Sequence, residues 1–332
     1  DGKGDPELAR EINSALNGKV FVEVFDLGRI KDSAIMNPLD FGSAQEVTDR
    51  IFASFDFEDP FYKAVQYDLA LTVISAIKST GEELTFKKLH NVLVSDIELS
   101  RLAKSCADIE LTTKLQKIIA TPRQQRAQNQ MGLVTQLAPF AEDELSGLLN
   151  GTKEYPNRCL MEFRNILLSD PDSSSLPKVY IVLLPTLKYQ TSAKRLGKML
   201  LQEIASLVGE RSSRGGSTSK FTSVFLDEFS AFAFEGFEQI LNKARSSKVA
   251  IHLSHQSMAD LCMVSEDFAR VVNTNTNVKC LLGLNDPDTA DFYARNIGTR
   301  GSERRTEKVE DRGMLKGSMR TGQGSVREVE EY

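Results

Sequence analysis

Two carboxylates, Asp227 and Glu228, close the apolar run Thr222-Ser223-Val224-Phe225-Leu226 and are followed at once by Phe229. A second run, Val249-Ala250-Ile251-His252-Leu253, ends in Ser254-His255-Gln256-Ser257. Adjacent carboxylates just beyond an apolar run suit hydrolysis of a nucleoside triphosphate. That reaction needs one group to hold the magnesium shell and another to orient the attacking water. Asp227 fits the first role, reaching Mg2+ through water, and Glu228 the second. Gln256 can both donate and accept, and is suited to sensing the γ-phosphate. The plainer alternative is an Asp-Glu pair that caps a buried strand at a solvated loop; the polar Gln after a second apolar run favours catalysis. Arg245 is a candidate arginine finger toward a neighbouring subunit, or else a charge offsetting the dipole of a helix C-terminus. Lys3 is a candidate contact to nucleotide or DNA.

These residues need elements that carry them to one place. Val224-Phe225-Leu226 reads as a strand buried on both faces of a parallel sheet. Phe237, Ile240, Leu241 and Ala244 fall at i, i+3, i+4 and i+7, one face of a crossover helix. The unit is strand, helix, strand, with Asp227, Glu228 and Gln256 delivered to the same sheet edge, where ligands of open α/β sheets bind.

Phe225-Leu226-Asp227-Glu228-Phe229 with His255-Gln256-Ser257 resembles the Walker B and Gln motifs of type IV coupling proteins, the TraD/TraG-type DNA-transfer ATPases related to FtsK/HerA pumps. Asp1-Gly2-Lys3-Gly4-Asp5 is similar to the family's Asp-Pro-Lys-Gly-Glu, departing from it at Gly2 and Asp5. The closing Ser325-Val326-Arg327-Glu328-Val329-Glu330-Glu331-Tyr332 also resembles the family near the end of its ATPase domain. The resemblance implies a RecA-like P-loop NTPase of α/β class, its parallel sheet interrupted by an inserted all-α domain. It implies residues 1–59 and 151–332 for the nucleotide-binding domain and 60–150 for the helical one. It also implies ATP and Mg2+ as cofactors and a homo-hexamer on the cytoplasmic side of the bacterial inner membrane. Its partners would be single-stranded DNA, a relaxase or relaxosome, and a type IV secretion channel. A duplex-DNA pump of the FtsK/HerA type and a non-hydrolysing DNA or protein adaptor are the alternatives; the long helical stretch argues against the pump.

The phosphate loop Gly-x-x-x-x-Gly-Lys-Ser/Thr is absent from these residues; Gly197-Lys198 is followed by Met199 inside a helical pattern. The family carries that loop upstream of the position matching Asp1, so the chain is expected to begin inside the ATPase domain and to be inactive alone.

With 332 residues, 41% hydrophobic and 8% aromatic, the chain has material for a core and for two domains. A net charge of −5 gives no global nucleic-acid signature, so any DNA contact is local. Cys106, Cys159, Cys262 and Cys280 lack Cys-x-x-Cys spacing and read as buried free thiols in a reducing compartment. No run of 18 apolar residues is present.

Helices are expected at Pro6–Leu16, Ser43–Phe55 with a Ser43/Glu46 capping box, Pro60–Ser79, Phe86–Val94, Asp96–Cys106, Glu110–Ile119, Gln124–Leu137 and Thr191–Val208. Strands are expected at Lys19–Phe25, Val179–Leu184 and Val278–Leu284, and a helix from Asp286-Pro287 to Gly298. Loops are read at 169–175 and, as a mobile segment, at 211–220; a loop or hairpin is read from 300 to 325, before a last strand. The polar run Arg123–Gln130 is either a nucleic-acid or partner contact or a solvated helix face. His252-x-x-His255 straddles a strand end without a completing ligand and reads as a core or loop pair rather than a zinc site.

Overall fold

The computed structural model describes residues 1–16, 18–151, 158–169, 177–215, 220–297, 300–311 and 318–331, the last two stretches by backbone alone. Expected features at 170–175, 216–219, Gly298 and Tyr332 lie outside the described residues.

The order of elements is α1 (Pro6–Leu16), β1 (Phe21–Asp26), α2 (Ala44–Ser54), α3 (Pro60–Ser79), α4 (Phe86–Val94), α5 (Asp96–Ser105), α6 (Ile109–Ala120), α7 (Arg123–Ala141), α8 (Ser146–Leu149), α9 (Arg164–Leu167), β2 (Lys178–Leu183), α10 (Gln190–Ser213), β3 (Thr222–Leu226), α11 (Glu238–Ala244), β4 (Val249–Leu253), α12 (Met258–Cys262), α13 (Glu266–Asn275), α14 (Pro287–Ile297), β5 (Arg300–Asp311) and β6 (Ser318–Glu331). Two compact units are distinguished, one of residues 1–255 and 261–277, the other of 256–260 and 278–332.

In the first unit, β1 pairs with β2 and β3 with β4, both in parallel. Parallel neighbours need a crossover. Between β1 and β2 it contains all the helices from α2 to α9; between β3 and β4 it is the short α11. Val22, Val24 and Val179 alternate onto one face with Ile181 and Leu183, and Ala9 and Ile12 of α1 pack against them. The N-terminal residues extend the first ladder. Leu184 N–H donates to Asp1 O at 2.9 Å, and Thr186 N–H to Gly2 O at 3.2 Å.

From Pro60 to Leu149 every described element is a helix, and the entry is firmly capped. Ser43 Oγ accepts from Glu46 N–H, and Glu46 Oε2 accepts from Ser43 N–H at 2.7 Å, the capping box read in the sequence. Asp59 caps α3 and Pro60 occupies its first turn. The polar run at the start of α7 is divided: buried Arg126 pairs with Asp96, and buried Gln130 Nε2 donates to Leu93 O at 2.8 Å, whereas Arg123, Gln124, Gln125 and Gln128 are exposed, as on a solvated helix face.

Among the described residues of the first unit the strand pairs form two ladders, both parallel as expected. Three expectations are corrected. β3 is not buried on both faces: Thr222 points inward, whereas Phe221 and Phe225 are 70% and 72% exposed. Val278–Leu284 is not a strand, because no described strand lies beside it to pair with its backbone. Two of the four cysteines, Cys262 and Cys280, are exposed, although all four are free.

In the second unit, Asp286 accepts from the Thr289 hydroxyl at 2.5 Å at the start of α14, and Thr289 Oγ1 accepts from Met258 N–H at 3.0 Å. β5 and β6 form an antiparallel hairpin with a register shift between Glu307 and Val309. The expected hairpin is therefore present, and Ser325–Glu331 is part of its second strand.

Candidate active site at the ends of the parallel strands

The register of the β3–β4 ladder sets the site. Leu226 lies opposite Leu253, so the next residues, Asp227 and Ser254, leave the ladder side by side. Pairing continues past the strands: Ser254 N–H donates to Leu226 O at 3.0 Å, and Phe229 N–H to Ser254 O at 2.9 Å. Ser254 then works with its side chain. Its hydroxyl donates to Asp227 Oδ1 at 2.5 Å and accepts from Glu228 N–H at 3.2 Å. One hydroxyl thus holds the Asp227 carboxylate and the backbone of Glu228.

Glu228 stands in the left-handed region, with φ 52° and ψ 44°. A non-glycine residue there is strained, and such strain persists where its surroundings over-determine it. Here the Ser254 bonds hold one side. On the other, the turn Phe229–Ala231 is anchored by Phe229, whose ring lies 4.9 Å from that of Phe237 and 6.1 Å from that of Phe268. Phe232 reaches α10 at Gly197, where a Cβ would come 2.2 Å from its Cδ1. That contact gives Gly197 its packing role and accounts for a glycine that belongs to no phosphate loop.

Lys3 arrives from the first ladder. Its Nζ lies 2.8 Å from Glu228 Oε1, with side-chain exposures of 65% and 19% respectively. The carboxylate holds the lysine ammonium above its ordinary pKa, first by hydrogen bonding and then by charge. Gly2 permits the approach, since a Cβ there would sit 3.1 Å from Glu228 Cβ and 3.2 Å from the Phe232 ring. Gly4, at φ +66°, closes on Pro185, which a Cβ would meet at 2.7 Å.

Lys3, Asp227 and Glu228 are therefore together: Ser254 joins the two acidic residues and Lys3 pairs with Glu228. The role of Ser254 carries no signal in the sequence. Gln256 belongs to the second unit, where its N–H donates to Asp260 Oδ2 at 3.2 Å. Arg245 is not brought to the carboxylates within one chain. It is exposed and follows α11, before β4 begins, so the length of β4 separates it from the other strand end. Five residues of strand span about 16 Å. His252 stacks on Phe225 with ring centroids 4.2 Å apart, and no group of three or more His, Cys, Asp or Glu suited to a metal occurs among the described residues. Magnesium bound with a nucleotide does not require such a group, because it commonly uses one or two carboxylates together with phosphate oxygens. Asp227, fixed by Ser254 at an open strand end, fits that pattern.

Residues 222–331 match the family described as the TraM recognition site of TraD and TraG. The type 4 coupling protein DotL of Legionella pneumophila (strain Philadelphia 1) is 25% identical over 157 residues, which cover 43% of this chain and 19% of DotL. The resemblance is to type IV coupling proteins. Among solved structures, the bacterial conjugative coupling protein TrwBdeltaN70 aligns with a TM-score of 0.56 at 14% identity, over 99% of this chain and 75% of that one. The plasmid coupling protein TrwB in complex with ADP and Mg2+ aligns with a TM-score of 0.54 at 12% identity, over 96% and 75%. These alignments show the coupling-protein fold, a RecA-like α/β fold with a helical domain. The chain spans about a fifth of DotL's length. Among the described residues no helix is long and apolar enough to cross a membrane.

Proposed function

We propose that this chain supplies the catalytic strand ends of an ATP-driven type IV coupling protein that moves single-stranded DNA and its relaxase toward a secretion channel. The observation that carries the reading is the pair Asp227–Glu228 at the end of a parallel strand, held by Ser254 and faced by Lys3. Asp227 would hold Mg2+ through water, and bound Mg2+ would neutralise charge on the phosphates. Glu228 orients and polarises the attacking water, and Gln256 follows the state of the γ-phosphate. Nucleotide in the TrwB complexes supports ATP as the ligand. These residues contain no Gly-x-x-x-x-Gly-Lys-Ser/Thr, so the reading assigns them the strand-end carboxylates and not a phosphate cradle.

The match over 222–331 supports a relaxosome protein as a partner of this region. A homo-hexamer on the cytoplasmic face of the inner membrane is the working assembly, and there Arg245, exposed at the far strand edge, would act across a subunit interface. The nucleotide-binding domain comprises 1–59 and 151–332, with 60–150 as the inserted helical domain. The test is Asp227→Asn in the full-length gene product. Mg2+-dependent ATP affinity should fall at least tenfold while Mg2+-free affinity changes little; equal affinities with and without Mg2+ in both proteins would refute the metal role.

A further inference from the structure

We infer that Lys3 is the positioning residue for Glu228: the ion pair that spans the two strand ladders fixes the direction of the carboxylate that acts on water. The inference rests on the reading of Glu228 given above and concerns how that residue is held.

Both ends of the pair are fixed at the backbone, and by different ladders. On the lysine side, Leu184 N–H and Thr186 N–H bond to Asp1 O and Gly2 O, and Thr186 Oγ1 donates to Gly2 O at 2.8 Å. Asp1 closes the turn from within: Oδ1 accepts from Lys3 N–H and Oδ2 from Asp5 N–H, each at 2.8 Å. On the glutamate side, Ser254 Oγ and Ser254 O accept from the N–H groups of Glu228 and Phe229. A side chain leaving a strained, fixed backbone retains its own rotamer freedom. The bond from Lys3 Nζ to Glu228 Oε1 restricts it.

An ion pair this exposed contributes little to stability, because water screens it and the lysine loses rotamer freedom in forming it. Its cost in backbone design is nonetheless visible. A Cβ at Gly2 would press on Glu228 Cβ at 3.1 Å and on the Phe232 ring at 3.2 Å, so those side chains would have to give way, and Gly4 must adopt a left-handed conformation against Pro185. Restrictions that give little stability but fix one carboxylate at a strand end point to a role in orientation. Proximity and direction of a base are worth far more to a rate than to a folding equilibrium.

The competing role for Lys3 is direct contact with nucleotide, and kinetics separate the two. Single-turnover ATPase rates, ATP affinities and thermal melts would be measured on the full-length gene product as wild type, Lys3→Met, Lys3→Arg, Gly2→Ala, Glu228→Gln and the double variant Lys3→Met/Glu228→Gln. Lys3→Met should slow turnover on the order of tenfold, leave ATP affinity within about twofold and leave the melt unchanged; Lys3→Arg should recover most of the rate. Gly2→Ala should reproduce the Lys3→Met loss. In the Glu228→Gln background, Lys3→Met should have no further effect, because the lysine acts through the carboxylate it holds. Equal losses in both backgrounds, or a rise in KM with turnover unchanged, would overturn the inference in favour of a direct nucleotide contact. A Glu228→Gln protein as active as wild type would instead remove the assignment of Glu228, and this inference with it.

Discussion

A single hydroxyl, that of Ser254, couples Asp227 to the backbone of Glu228. Ser254→Ala removes a bond to a charged group at an exposed position. Mg2+-dependent ATP affinity should drop about three- to tenfold, the weaker end of what charge-assisted bonds contribute. Titration calorimetry with and without Mg2+ measures it; unchanged affinity would show that Asp227 holds its place without the serine. Asp227, Glu228 and Lys3 were legible as candidates because their types state their chemistry, although the sequence did not pair Lys3 with Glu228. Ser254 was not, because its role depends on the register that places Leu253 beside Leu226, and register across a crossover is not written in either strand. Arg245 could be read only as alternatives, since an edge position says nothing of what a second subunit brings.

At the scale of elements, helices were legible where local chemistry decides them. The Ser43/Glu46 box and the Asp59-Pro60 start are short-range signals, and α2 and α3 begin where those residues place them. Strands were legible as apolar runs but not as burial. Phe225 looks like core, yet it lies on the uncovered face with His252 stacked on it. Val278–Leu284 looks like a strand but has no described neighbour to complete its hydrogen bonds. Packing between elements was not visible at all, and Gly197 shows why: its lack of a side chain matters only because Phe232 arrives from thirty-five residues further on. Gly197→Ala places a Cβ 2.2 Å from Phe232 Cδ1. It should destabilise the protein by about 1–3 kcal/mol through overpacking, despite the better helix propensity of alanine. Adding Phe232→Leu should recover part of that loss in thermal or urea melts. A Gly197→Ala protein as stable as wild type would mean that α10 and the site turn do not press on one another.

At the scale of the whole molecule, stability carries a pH signature. Glu203 of α10 is 7% exposed, and burial raises its pKa from 4.5 to about 7. Arg50 and Arg164 oppose that rise, while Asp40 and Glu162 add to it. Between those two values the folded chain keeps a proton that the unfolded chain has lost. Stability from this group is therefore fully present below about pH 4.5 and is lost as pH rises through about 7. The full effect is at most about 3 kcal/mol. Urea melts at pH 5 and pH 8 should show a smaller pH dependence for Glu203→Gln than for wild type; identical slopes would place the titration elsewhere. These 332 residues by themselves should also bind ATP weakly, lacking the phosphate-loop lysine and N–H cradle. Micromolar affinity for the isolated chain in calorimetry would contradict that. The central claim is that the strand-end carboxylates hydrolyse ATP, and steady-state turnover of the full-length Glu228→Gln protein with single-stranded DNA present tests it most directly. Turnover should fall by roughly two to four orders of magnitude with Mg2+–ATP affinity retained, because the amide keeps the shape of the side chain but cannot polarise water. Undiminished turnover would contradict the claim and leave Asp227–Glu228 as the cap of a strand.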